Sequence, residues 1–321
     1  MTRGRHAQPS PARWKPLLVI AAAIALIAAL AVYLSSGSSG RRRDIASTAK
    51  ARSVSPSHGV TATSTTQPAA MTTSTTLVAD PLAGQVASYL ATREGTVLAA
   101  VDDLTTGQTW TTGEGSPQDE ASIVKVDILE TLLAQREANP LSSSDESLAT
   151  SMIEESDNNS ATSLWDEVGG ASGIGAYDQS AGLQDTTPSP CVVCANFPWP
   201  GWGLTKTTPT DQIDLLKALV EPGQNLSSSD QSFVLGLMEN VIPSERWGVS
   251  GGVPDGTTVA LKNGWLPLND SGTDWQVNSI GWVSGEGRNY LIAVLSTGNP
   301  DEDYGIDTID GISATVWSDL G

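Results

Sequence analysis

The sequence predicts an α+β fold: an antiparallel sheet with flanking helices and a helical half inserted into it. Three observations lead there. Two stretches with strand character open the region from residue 79 onward, at 96–115, and three close it, between 257 and 297. Between them, apolar residues recur at helical spacing. Strands grouped at both ends of a run of helices suggest α+β layers rather than alternating βαβ units.

The first 78 residues are of another kind. Residues 17–34, LLVIAAAIALIAALAVYL, form one uncharged apolar run of 18 residues, long enough to span a bilayer as a helix. No clear A-x-A cleavage site follows, so the run reads as an uncleaved transmembrane signal-anchor; a cleaved signal peptide is the alternative. Basic residues flank both sides (Arg3, Arg5, Arg13 and Lys15 before, Arg41 to Arg43 after), and the positive-inside rule therefore gives no orientation. The chemistry below orients it, with 1–16 cytoplasmic and 79–321 extracytoplasmic, on a single-pass cell-membrane protein. Residues 35–78 are mostly Ser, Thr, Ala, Pro and Gly, a composition that cannot bury enough surface to fold. They read as a disordered tether and a candidate for O-glycosylation.

Within 79–321, residues 82–92 look helical. TVLAAVDDLTTGQTWTTGEG (96–115) reads as two strands around a Thr-Gly turn. A helix follows in EASIVKVDILETLL (120–133). Helical character continues from about 143 to 222, broken by SDNN, by GGASG and by a Pro-rich loop that holds both cysteines. DQSFVLGLMENV (230–241) is a further helix. TTVALKNGW (257–265), WQVNSIGWVS (275–284) and NYLIAVLST (289–297) are strands, and DTIDGISATVWSDL (307–320) closes as a helix.

Composition excludes several chemistries. The chain has 17 basic and 36 acidic residues; nine of the basic ones and only Asp44 lie in residues 1–52. The rest carries 8 basic and 35 acidic groups, net −27, which would repel nucleic acid and anionic lipid. The only histidines, His6 and His58, lie outside the domain, so it has no Ser-His-Asp triad and no His-ligated metal. Cys191 and Cys194, in PCVVC, are too few for a four-cysteine zinc site. In an extracytoplasmic loop they read as a local disulfide, with a redox C-x-x-C as the alternative. No cofactor or metal is expected.

One residue of the helix at 120–133 does not fit. Val124, Ile128, Leu129, Leu132 and Leu133 make an apolar stripe, with Asp127, Glu130 and Thr131 on the other side. Lys125 shares the apolar face, with Ser122 one turn earlier. A buried lysine has a lowered pKa and becomes a base, and Ser122 would be its client. The alternative is a snorkelling lysine whose head finds water. A serine site needs a proton relay, a second cation and two oxyanion donors besides. Ser156-Asp157-Asn158 offers a hydroxyl and an amide; Ser156 could equally be a plain N-cap. Lys262-Asn263-Gly264 offers the cation on a predicted strand, with Gly264 leaving room for substrate along its edge. The N–H groups of Ser122 and Trp265 could form the oxyanion hole.

S-x-x-K (Ser122 to Lys125), then S-D-N (Ser156 to Asn158), then K-N-G (Lys262 to Gly264) resembles the motif set of class A β-lactamases and penicillin-binding proteins. Single motifs say little: Ser47-Thr48-Ala49-Lys50, in the tether, matches S-x-x-K by accident. The order of elements over 80–321 also resembles that β-lactamase/transpeptidase-like fold. The resemblance implies Ser122 as the acylated nucleophile, Lys125 as its base, Ser156 as proton shuttle and Lys262 as the cation that lowers the pKa of Lys125 and binds the substrate carboxylate. It implies Asn158, Asn263, Gly264 and Trp265 as substrate-binding residues. Arg246, in SERWGV, is the candidate for the arginine that holds a β-lactam carboxylate.

Three departures from the family pattern stand out. No glutamate lies between Glu167 and Glu221, so the E-x-x-L-N glutamate that activates the deacylating water is missing; Asp185 is the substitute candidate. Asn263 stands where the family has Thr or Ser. The spacing from Ser122 to Ser156 is shorter, which implies a trimmed surface segment. The leading expectation is a membrane-anchored extracytoplasmic serine hydrolase acting on β-lactams or D-Ala-D-Ala-type cell-wall peptides through acylation of Ser122. Its partners would be a β-lactam or a peptidoglycan-derived peptide, and the membrane through its N-terminal helix, with no nucleic acid. A penicillin-binding or sensing module that acylates or binds without efficient turnover is the alternative, and a scaffold with a vestigial site the third reading.

Overall fold

The computed structural model describes residues 78–321 except 114, 137, 138 and 270. Residues 1–77, which hold the segment expected to be cytoplasmic, the apolar run and all of the expected tether but its last residue, lie outside the described residues. Among the described residues no helix is long and apolar enough to cross a membrane.

The sheet has five strands. β1 (Thr96–Asp103) and β2 (Gln108–Thr112) form the expected hairpin, and Gly107 takes φ +70° in its turn. β5 (Thr258–Pro267), β6 (Trp275–Gly285) and β7 (Arg288–Asn299) complete it in the order β2-β1-β7-β6-β5, all antiparallel. The last strand therefore pairs with the first, and the helical segments between them form the inserted half. A two-stranded ribbon, β3 (Gln118–Asp119) with β4 (Lys206–Thr207), ties the chain just before Ser122 to the end of the cysteine loop.

Alternation along the strands divides the core in two. On β7, Tyr290, Ile292 and Val294 pack with α8 (Glu302–Asp319), through its Ile309, Ile312 and Val316, and with Val86 of α1 (Gln85–Leu90). Leu291, Ala293 and Leu295 face the helical half. That half holds α2 (Val124–Gln135), α3 (Ser143–Glu154), α4 (Asn158–Glu167), α5 (Gly170–Ala181), α6 (Pro209–Val220) and α7 (Ser228–Glu239). Ser142, Asp157, Thr208, Ser227 and Asp301 cap their helices, each accepting a backbone N–H from the first turn. The cap of α4 is therefore Asp157, not Ser156.

One expectation holds and two need correction. GGASG does interrupt the helical run: α4 ends at Glu167, Gly169 takes φ +93°, and α5 begins at Gly170. α8 starts at Glu302, ahead of the expected 307, because Asp301 caps it. And α2 has no solvent face. Asp127, Glu130 and Thr131, expected outside, are as buried as the apolar stripe, because α3, α4, α5 and α7 surround the helix.

Candidate active site

Ser122 sits in a single 3-10 turn, Ala121–Ile123, that runs into α2. Ala121 is held at φ +52°, a backbone state unfavourable for a side-chain-bearing residue. Lys125 lies in the first turn of α2, fully buried. Its Nζ donates to Ser156 O (2.6 Å), Ser156 Oγ (3.1 Å) and Asn158 Oδ1 (2.9 Å). Lys262, on β5 and also fully buried, donates to the same Ser156 Oγ (3.0 Å) and to Asn263 O (2.9 Å). One hydroxyl thus bridges the amino groups of two lysines. Ser156 takes φ +57°, with its carbonyl and its hydroxyl both on Lys125. Such a conformation persists only where surrounding contacts impose it.

The lysines are tuned by their surroundings. Burial pushes Lys125 well below its ordinary value, and the charge of Lys262 pushes it further; Glu245 and Asp157 oppose the shift. Burial brings Lys262 down to about 8, against the charge of Glu245. Lys125 directs its hydrogen bonds to Ser156 and Asn158, not to Ser122 Oγ, so one must be released before it takes the serine's proton. Such rearrangements are common before substrate binds.

Ser122, Ser156, Asn158 and Trp265 line one cavity of about 290 Å³, with Lys125 and Lys262 beneath it. A second, smaller pocket shares Ser122, Asn158, Trp199 and Trp265 with it and is lined besides by Trp202, Pro200 and Gly203. Trp202 is buried, bonds Thr162 Oγ1 through Nε1 (3.1 Å), and holds its ring 5.1 Å from Lys125 Nζ. An indole therefore stands beside Ser122 on the wall built by the cysteine loop. Cys191 and Cys194 are joined as a disulfide in that loop.

Gly264 serves a different contact from the expected one. A methyl group at 264 would lie 2.6 Å from Ser122 N and 2.8 Å from Ile123 N. The glycine admits the chain's own Ser122 turn against β5, which brings the nucleophile to the strand edge beside Trp265.

Two expected site residues do not reach the cavity, and neither does the substitute base. Asn263 points to the opposite face of β5 from Lys262, as adjacent strand residues must. Its Nδ2 donates to Glu245 O (2.7 Å) and Trp247 O (3.2 Å), and its Oδ1 accepts from Ser279 Oγ (2.6 Å). It is fully buried and braces the turns before β5. Arg246 is exposed and donates to Glu239 O, away from the cavity. Asp185 is exposed after α5, and its N–H donates to Asp211. The residues missed were Glu245, Glu302, Trp199, Trp202 and Trp275. Glu245 adjoins Arg246 in SERWGV, and no periodicity in that turn says which of the two faces inward.

Beside α2 lies a cluster of buried acids: Glu120, Asp127, Glu130, Asp178 and Asp211. Both carboxylate oxygens of Glu120 lack partners, and its pKa is pushed well up by burial, then by Asp178 and Asp211. Glu120 lines neither cavity at Ser122. Among the described residues no three His, Cys, Asp or Glu side chains are placed to hold a metal ion.

The family model described as the beta-lactamase enzyme family matches residues 142–320. No curated protein matches the chain. Solved structures do. The TLA-1 extended-spectrum β-lactamase is 21% identical with TM-score 0.62, over 73% of this chain and 96% of that one. A class A β-lactamase from Bacteroides cellulosilyticus is 20% identical with TM-score 0.63, over 75% and 99%. PBP-A is 21% identical with TM-score 0.60, over 73% and 93%; a variant of it is solved as its acyl-enzyme complex with penicillin G. At these identities the likeness is one of fold.

Proposed function

This chain belongs to the beta-lactamase enzyme family, and from that premise we propose that it is a membrane-anchored serine acyltransferase-hydrolase whose nucleophile is Ser122. One observation carries the assignment of roles: a single hydroxyl, Ser156 Oγ, bonded by two buried lysines at the floor of the cavity that Ser122 lines. In acylation, Ser122 Oγ attacks the carbonyl carbon and its proton passes to neutral Lys125 Nζ. The new C–O bond forms as the C–N bond breaks. The leaving nitrogen takes a proton from Ser156 Oγ, which is resupplied by Lys125 or Lys262. The N–H groups of Ser122 and Trp265 would stabilise the oxyanion. A depressed pKa on Lys125 favours the neutral base this step requires.

Release of the acyl group is the slower step in this reading. It needs a base for water, and the E-x-x-L-N glutamate that supplies one in the family is missing; the small pocket at Ser122 is lined by the indole of Trp202 and by no acid. That favours a long-lived acyl-enzyme, as in a penicillin-binding or sensing module, over fast turnover of an antibiotic. The apolar run at 17–34 would hold the domain at the outer face of the cell membrane.

The experiment is intact-mass spectrometry of the full chain in detergent after exposure to benzylpenicillin, followed over time beside Ser122→Ala. The expected result is an adduct of one drug mass, absent in the variant, that decays slowly. A rapidly decaying adduct with opened drug released would make the protein a working β-lactamase. No adduct at any pH would overturn acylation of Ser122 by β-lactams.

A further inference from the structure

The cavity at Ser122 carries the wrong charge for a carboxylate. Glu155, Glu245 and Glu302 line it, and no arginine or lysine does. The nearest arginine in sequence, Arg246, turns outward, and the amide of Asn263 is used by Glu245 O and Trp247 O. The lysines lie below the floor, bonded to Ser156.

Glu245 is the informative residue. It is only 7% exposed, it lines the cavity, and its Oε2 is buried without a hydrogen-bond partner. A buried carboxylate left unpaired is costly, so such a group marks a position where a ligand would complete the structure. Neither Glu245 nor Glu302 belongs to an ion pair among the described residues. The two sense each other: Glu302's carboxyl is raised by burial, then by Asp303 and Glu245. Its place is the first turn of α8, so the two acids approach the cavity from different elements.

Indoles complete the wall. Trp265 and Trp275 line the same cavity, Trp199 is 47% exposed at its rim, and Trp247 lies 6.1 Å from Trp265, ring centre to ring centre. Indole faces attract cations, and they do so together with carboxylates. Carboxylates and indoles around one space are chemistry for an ammonium group.

We propose that this site takes an acyl compound bearing an ammonium group, the cation seated between Glu245 and Glu302 and against the indoles of Trp265 and Trp275. The inference deepens the acylation reading and rests on it for the word acyl. The charge preference itself stands on the cavity alone. The ammonium would supply the hydrogen-bond partner that Glu245 Oε2 lacks; the fields of Lys262 and Lys125 reach this carboxyl without an ion pair, and burial still raises it. A free carboxylate at the same place would meet two like charges instead.

The test separates the two readings. The full chain in non-ionic detergent is titrated with 2-phenylethylammonium and with 3-phenylpropanoate, similar in shape and opposite in charge, by tryptophan fluorescence. The expected result is about tenfold or more tighter binding of the cation, with the preference gone in Glu245→Gln and reduced in Glu302→Gln. In parallel, acylation by benzylpenicillin is compared with that by its 2-aminoethyl amide, in which an ammonium replaces the carboxylate; the amide is expected to react faster. Equal binding, or preference for the anion, overturns the proposal. So does a cation preference that survives in both variants, since the cation then sits elsewhere. A cation preference in the unmodified chain without acylation by either compound upholds the charge selectivity and overturns the acylation reading. Glu302 is partly exposed, so its variant tests the site even where Glu245→Gln fails to fold.

Discussion

At the scale of single residues, the site depends on which way each side chain of β5 points. Lys262 and Gly264 share the face toward the helical half; Asn263 lies on the other. Strand alternation alone could have separated Lys262 from Asn263 in the sequence. The resemblance of K-N-G to the family motif implies a substrate contact for its middle residue. The structure instead makes Asn263 a brace for the turns that carry Glu245 and Trp247. Asn263→Ala would leave the Glu245 and Trp247 carbonyls short of a donor, at a cost of about 1–3 kcal/mol. Urea unfolding of the variant should show that loss. A substrate-contact role would slow acylation at unchanged stability.

Among elements, α2 departs furthest from its sequence pattern. The apolar stripe was legible, and so was the inward placement of Lys125. Burial of the opposite face was not, because it follows from helices distant in the chain that close over Asp127 and Glu130. Burial pushes the Glu130 carboxyl up to about 8, with the Tyr177 hydrogen bond opposing and Asp178 adding. Asp178 is raised to about 6, first by burial, with the neighbouring Asp127 carboxyl opposing and Asp211 adding. A carboxyl whose folded pKa exceeds its ordinary 4.5 binds its proton more tightly in the fold. Its contribution to stability is therefore complete below that value and is lost as pH rises through the folded one. Lys262 disfavours the fold increasingly as pH falls from its ordinary 10.5 to about 8 and not further below. Lys125, lowered well below its ordinary value, acts in the same direction, and between pH 5 and 8 the four raised acids Glu120, Asp127, Glu130 and Asp178 outnumber it. The thermal midpoint should fall over that interval, by about 2–4 °C per kcal/mol lost, and Glu130→Gln should flatten the profile. A midpoint that rises from pH 5 to 8 would contradict this account of α2.

For the whole molecule, the proposed anchor, the proposed tether and the folded domain make separate demands on the sequence. The apolar run and the Ser/Thr/Pro stretch are compositional signals that need no partner to be read. They predict that the full chain fractionates with membranes and resists salt extraction, and that a chain lacking residues 1–34 becomes soluble with unchanged acylation by benzylpenicillin. Recovery of the full chain in the soluble fraction would remove the anchor from the proposal. The domain's net charge of −27 suits an extracytoplasmic surface and adds to the cation preference inferred for the cavity, since long-range fields steer oppositely charged ligands.

The sequence by itself determined the strand groups, the intervening helices, the absence of histidine chemistry, and the order Ser122, Lys125, Ser156, Lys262. These follow from residue types and local periods, which act over a few neighbouring positions. Only the tertiary structure decided that β7 lies between β1 and β6 and that Gly264 admits the Ser122 turn. It also decided that Trp202 lines the small pocket at Ser122, and that Glu245, not its neighbour Arg246, faces the cavity. Each of these depends on contacts between segments tens to hundreds of residues apart. No local preference encodes them, because the burial that fixes a side chain's direction exists only once the layers have packed.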